Sequence, residues 1–120
     1  MSLPNFEPFT VVTDRASGRT VELTLSGELD LSGVPSVAKA VSVSLEPPAP
    51  CLVLADLTDL TFIGSAGLSS LFAARRRARE DDAEFRVFGP LRRPVARAFA
   101  VTGARSLLDV YSCRTEALAA

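Results

Sequence analysis

The chain has no histidine and no tryptophan, and only two cysteines and one tyrosine among its 120 residues. Without histidine, the Ser-His and Cys-His pairs that activate most hydroxyl and thiol nucleophiles cannot be built, which argues against an enzyme. Two cysteines do not make a disulfide framework, and a metal site on them would need further ligands at short spacing. Cys51 opens an apolar run and reads as a small core residue, and Cys113 lies near the C-terminus. No apolar run approaches the ~18 residues of a membrane span. Residues 1–8 have neither the basic start nor the apolar stretch of a signal peptide, so the expected location is the cytoplasm. No internal repeat, low-complexity tract or linker interrupts the chain.

What is present is enough for one domain with its own core: 48% of the residues are hydrophobic. The net charge of −1 hides an uneven distribution. Residues 1–60 carry three cations and eight acids, residues 61–120 ten and six, and eight of the thirteen cations fall between Arg75 and Arg97. Such a cluster is either a nucleic-acid face or a solvated helix face. Glu80, Asp81 and Asp82 beside it, and phenylalanines held mostly in apolar-periodic positions, favour the solvated face.

Residues 1–8 are expected to be a flexible lead. Phe9 to Thr13 reads as a strand, Asp14 to Arg19 as a turn, and Thr20 to Ser26 as a strand with Val21, Leu23 and Leu25 on one face; together they suggest an antiparallel hairpin. Gly27 to Gly33 breaks that period. Val34, Val37, Ala38, Val41 and Leu45 then recur at helical spacing, with Asp30 or Ser32 as a candidate N-cap, Pro35 in the first turn and Pro47-Pro48 ending the helix. Cys51 to Ala55 is apolar on both faces, as in a central strand covered by helices. After a loop, Leu68, Leu71 and Phe72 mark a helix that turns Arg75, Arg76 and Arg79 to solvent. Ala83 to Phe88 is a strand, Leu91 to Phe99 a helical stripe closed by Gly103, and Leu107 to Tyr111 a last strand. Ser112 or Cys113 with Glu116 has the spacing of a capping box before a terminal helix. The order β-β-α-β-α-β-α-β-α predicts a single α/β domain. Its central sheet is mostly parallel, with about four to five strands, an antiparallel N-terminal edge strand and about four helices.

The stretch Phe62 to Leu68 joins the central strand to the helix after it, where open α/β sheets present their sites. Ser65 stands at the helix start. Its hydroxyl can cap the helix, and it lies where backbone N–H groups and the helix dipole favour an anion. Gly64 and Gly67 are too few for a phosphate-cradling loop and lack the accompanying lysine. Asp56, a lone carboxylate, reads as a loop-ordering acceptor.

Leu52 to Thr58, followed by Thr61-Phe62-Ile63-Gly64-Ser65-Ala66-Gly67-Leu68, resembles the signature of STAS domains, in particular bacterial anti-sigma factor antagonists. Gly27-Glu28-Leu29-Asp30 resembles that family's Gly-Glu-Leu-Asp motif. Pro94 to Phe99, Gly103 and the segment from Tyr111 to Leu118 are similar to its C-terminal half. The resemblance implies that Ser65 is the serine that an anti-sigma factor with serine-kinase activity phosphorylates. It implies that Asp30 is the acidic residue beside that serine and Asp56 the aspartate ending the central strand. Asp30, Ser32, Gly64, Ser65, Ala66, Gly67 and Ser69 would then meet the partner, with a serine phosphatase as a further partner. No catalytic residue, cofactor, metal, nucleic acid or membrane is expected.

One position departs from the pattern: Gly64 stands where the family has aspartate. Gly64 is expected to loosen the loop and to raise the entropic cost of ordering it. The departure opens a second reading, a STAS interaction module that binds its partner without phosphoregulation. A third, a ligand-binding module using the helix start, has no legible set of pocket-lining residues.

Overall fold

The computed structural model describes residues 8–120; the lead expected over 1–8 lies outside the described residues except for Pro8. The first strand, β1 (Thr10–Ser17), turns through Gly18-Arg19 into β2 (Thr20–Leu29). Both strands outrun the sequence reading. Asp14, Arg15 and Ser17 each pair with β2, so the turn shrinks to two residues. The alternation that begins at Val21 continues to Leu29 instead of breaking at Gly27. Gly27 adopts φ 88°, a conformation side chains resist, and the ladder to the next strand shifts register beside it. The strand therefore absorbs the glycine as a bulge.

A 3-10 turn, Leu31–Gly33, leads into α1 (Val34–Ser44), with Pro35 in its first turn as expected. Neither Asp30 nor Ser32 caps α1. Its N-cap is Gly33, and Asp30 precedes the 3-10 turn without a side-chain capping bond.

The central strand, β3 (Leu52–Ile63), is more than twice the expected length. It pairs in parallel with β2 on one side and with β4 (Glu84–Phe88) on the other. Asp56 does not end it. Thr24 faces Asp56 while Ser26 faces Asp59, so two residues, Leu57 and Thr58, share the place opposite Leu25. The Asp56 carboxylate accepts the Thr58 N–H at 2.9 Å and so closes this bulge. The inward alternation resumes beyond it, with Leu60 fully buried. Cys51, expected in the core, is exposed just ahead of the strand, where its N–H bonds to the Arg19 carbonyl at 2.9 Å.

Helix α2 (Ser65–Glu80) joins β3 to β4, and α3 (Arg93–Thr102) follows, stopped by Gly103 at φ 73°. Leu107 and Leu108 do not belong to the last strand. Their N–H groups bond to the Ala104 carbonyl at 3.0 and 2.9 Å, closing a second 3-10 turn, Ala104–Ser106, before β5 (Val110–Tyr111). Helix α4 (Arg114–Ala119) has Cys113 as N-cap, and the Glu116 carboxylate reaches back to accept from the Ser112 N–H at 3.3 Å. Glu116 stands three residues after the cap, at the expected capping-box spacing, but its bond goes to the residue before the cap rather than to the cap itself.

The sheet order is β1-β2-β3-β4-β5, antiparallel at the first pair and parallel thereafter. One face carries the main core: Val21 and Leu23 of β2 and Val53 and Ala55 of β3 meet Val41 of α1, Leu71 of α2 and Phe99 of α3. On the reverse face Leu52, Leu54 and Phe88 pack under Ala117 of α4. Burial on both faces explains why β3 reads as a continuous apolar run. The expected α/β architecture, edge strand included, is the one observed.

Candidate functional site

The register sets the site. Leu29 pairs with Ile63 at the carboxyl ends of β2 and β3, so the next residues, Asp30 and Gly64, lie side by side. The Gly64 N–H bonds to the Leu29 carbonyl at 2.9 Å, and the Gly64 carbonyl accepts the Leu68 N–H at 3.0 Å. Backbone hydrogen bonds thus hold Gly64 on both sides. A Cβ added to it would stand 2.8 Å from Cγ of Asp30 and 3.1 Å from its Oδ2. The Asp30 carboxylate fills the volume a side chain at position 64 would need.

Ser65 is the first residue of α2 and is exposed. It is not the N-cap. Gly64 takes that position in extended conformation (φ −92°, ψ 179°), no side chain caps the helix, and its first turn holds no acid. The end of α2 therefore combines a free hydroxyl with unsatisfied N–H groups and the positive end of a dipole. Ser32 and Ser69 are also exposed, and Ala66 is half-buried. Gly67 is not on the accessible rim: it is buried, and a Cβ there would come within 2.5 Å of the Leu29 carbonyl oxygen. Its role is to let α2 start close against β2. Ser70 behind it is buried and donates to the Gly67 carbonyl at 2.6 Å. Asp56 lies apart, midway along β3.

Two residues at this end of the sheet were not among the expected partner contacts. Leu31, directly after Asp30, is 74% exposed, and Phe62, just before Ile63 and Gly64, is 41% exposed. Leu31 gives a faint signal in sequence, as an aliphatic residue outside the α1 stripe. Phe62 opens the stretch read as the site, but its exposure follows from the strand alternation that β3 carries past Asp56.

A sequence profile described as "Mlab, STAS domain" matches residues 12–109. The chain belongs to the STAS domain family. Solved structures share the fold of this STAS domain. An anti-sigma factor antagonist from Mycobacterium paratuberculosis is 23% identical with a TM-score of 0.77, over 99% of this chain and 97% of that one. The antagonist SpoIIAA in its unphosphorylated form is 19% identical with a TM-score of 0.73, over 91% and 93%. Bacillus SpoIIAA in its phosphorylated form is 17% identical with a TM-score of 0.67, over 92% and 97%. No curated protein sequence matches the chain.

Among the described residues of the STAS domain, no group of three or more His, Cys, Asp or Glu side chains is placed to hold a metal ion. No helix among the described residues is long and apolar enough to cross a membrane. Cys51 and Cys113 are both free thiols.

Proposed function

We propose that this STAS domain is an anti-sigma factor antagonist. Unphosphorylated, it occupies an anti-sigma factor and so frees a sigma factor in the cytoplasm. Phosphorylation of Ser65 by the serine-kinase activity of that partner ends the complex, and a serine phosphatase restores it. The domain is then the substrate of the kinase and not itself a catalyst. The observation that carries this reading is the exposed Ser65 hydroxyl at the uncapped start of α2, in a rim that includes Asp30, Leu31 and Phe62. The shared fold with antagonists, one of them solved phosphorylated, supports it.

The physics of the switch is simple. A phosphate adds about −1.5 to −2 charges, which the helix dipole accommodates in the free protein with a gain of at most ~2 kcal/mol. In a complex the same charge loses its water. Removing a hundredfold in affinity takes only ~2.7 kcal/mol, and an uncompensated buried charge costs about 3–5 kcal/mol. Exposed Leu31 and Phe62 supply apolar surface that gains by leaving water when the partner docks.

A second reading is favoured by one observation: the site where the family pattern has aspartate is Gly64, and Asp30 fills the space. The domain then binds its partner without phosphoregulation. Incubation with candidate anti-sigma kinases and ATP, followed by mass mapping, separates the two. Phosphate on Ser65, with Ser65→Ala retaining the kinase in a pull-down and Ser65→Asp releasing it, is the expected result. A kinase that binds the domain tightly yet never phosphorylates it would establish the second reading.

A further inference from the structure

Helix α2 places four arginines in its second half, and the structure treats them unequally. Arg77 pairs with Asp81 at 2.9 Å. Arg75, Arg76 and Arg79 make no ion pair among the described residues. Of the three neighbouring acids, only Asp81 forms an ion pair with a helix arginine among the described residues. The three unpaired guanidinium groups border an open groove of about 480 Å3, whose other walls are Phe72, Glu80 and Leu107. Leu107 is 60% exposed and Phe72 is half-buried. An aliphatic side chain is thus left in water beside three free cations.

We infer that this groove docks an acidic segment of a protein partner, with carboxylates on Arg75, Arg76 and Arg79 and one large apolar side chain between Phe72 and Leu107. Guanidinium groups bind carboxylates through paired N–H donors, and an apolar anchor flanked by charge is the usual composition of a small docking site. A nucleic-acid strand fits worse. Phe72, the one aromatic ring lining the groove, is half-buried and leaves no open face on which a base could stack. A membrane surface fits worse too, because the apolar face of α2, Leu68, Leu71, Ala74 and Ala78, is already buried in the core. Arg75 lies about 15 Å along α2 from Ser65, at about 1.5 Å per residue, so the groove stands or falls independently of the phosphorylation reading.

The test is a selection of displayed short random peptides on the intact domain. Binding of the selected peptides is then compared between the wild type and the Arg75→Glu/Arg79→Glu variant, whose folding is checked by circular dichroism. The expected result is a set of peptides in which Asp or Glu flanks Leu or Phe, bound about tenfold or more weakly by the variant and weakened by salt. Arg75→Lys/Arg79→Lys should keep most of the affinity, and Leu107→Ser should lose part of it with no change of charge. Peptides without an acidic bias, or acidic peptides that bind the variant equally well, would overturn the inference. So would single-stranded DNA or phosphatidylserine vesicles binding the groove more tightly than any peptide. Self-association of the wild type that the variant abolishes, read by analytical ultracentrifugation, would assign the groove to a second copy instead.

Discussion

The carboxylate of Asp30 occupies the space into which a side chain at Gly64 would project, with Cγ only 2.8 Å from where the Cβ would stand. Both residues follow directly on paired strand ends, Leu29 and Ile63, so their proximity is built into the parallel register of β2 and β3. An acidic group is therefore present beside the start of α2, but it comes from the neighbouring strand.

This arrangement makes position 64 tolerant of volume and sensitive to charge. The backbone of Gly64 (φ −92°, ψ 179°) suits any residue, and the obstacle is the free end of an exposed side chain. Gly64→Ala should shift stability by less than about 1 kcal/mol, since the loss of unfolded-state freedom offsets the displacement of Asp30. Gly64→Asp brings two carboxylates together. In urea unfolding at low salt it should cost about 0.5–1 kcal/mol more with Asp30 present than in the Asp30→Asn background. The difference should shrink as salt is added. Equal costs in both backgrounds would mean that the two side chains do not meet.

Gly67 should behave in the opposite way. The atom in its path is the Leu29 carbonyl oxygen, which also accepts the Gly64 N–H at 2.9 Å, so the backbone cannot yield without breaking that bond. Gly67→Ala should destabilise by about 1–3 kcal/mol, visible as a lower urea midpoint at unchanged slope. A variant as stable as the wild type would show that α2 can start further from β2 than the structure places it.

The order of elements was legible because its punctuation is local. Strict alternation marks β2, Pro47-Pro48 closes the first helical pattern, and Gly103 stops α3 in the left-handed conformation its position demands. What escaped depends on pairing between distant segments. Asp56 looks like the start of a loop until the register shows Leu57 and Thr58 sharing one place opposite β2, with the carboxylate closing the bulge. The Asp30–Gly64 contact is likewise a consequence of register, invisible to any reading of the Phe62 to Leu68 stretch alone. Ser65 was recognisable from its motif, whereas its place as first helical residue rather than cap follows from backbone angles that the sequence does not specify. The unpaired state of Arg76 was not legible either: Glu80 stands four residues on, at a spacing that suits an ion pair, yet among the described residues only Arg77 and Asp81 pair on this helix.

Asp56 gives a direct check on the bulge. Its Oδ1 accepts the Thr58 N–H at 2.9 Å in a partly buried setting. Asp56→Ala should cost about 1–2 kcal/mol and speed hydrogen exchange at the Thr58 amide, while Asp56→Asn, which keeps an acceptor oxygen, should lose less than half as much. Unchanged exchange at Thr58 in the alanine variant would show that the sheet, and not the carboxylate, holds the bulge.

Charge at position 65 can be tested in the free domain, without any partner. The Ser65 hydroxyl forms no capping bond, so Ser65→Ala should stay within about 0.5 kcal/mol of the wild type. Ser65→Asp puts the first acid into the opening turn of α2, where the dipole favours it by about 0.3–1 kcal/mol. Asp30 opposes that gain from next to Gly64, so the full benefit should emerge only in the Asp30→Asn background, again most clearly at low salt. The switch needs the free protein to tolerate negative charge at this place, so that only the complex suffers from it. A Ser65→Asp variant that unfolds more than about 1 kcal/mol more easily, even without Asp30, would remove that premise.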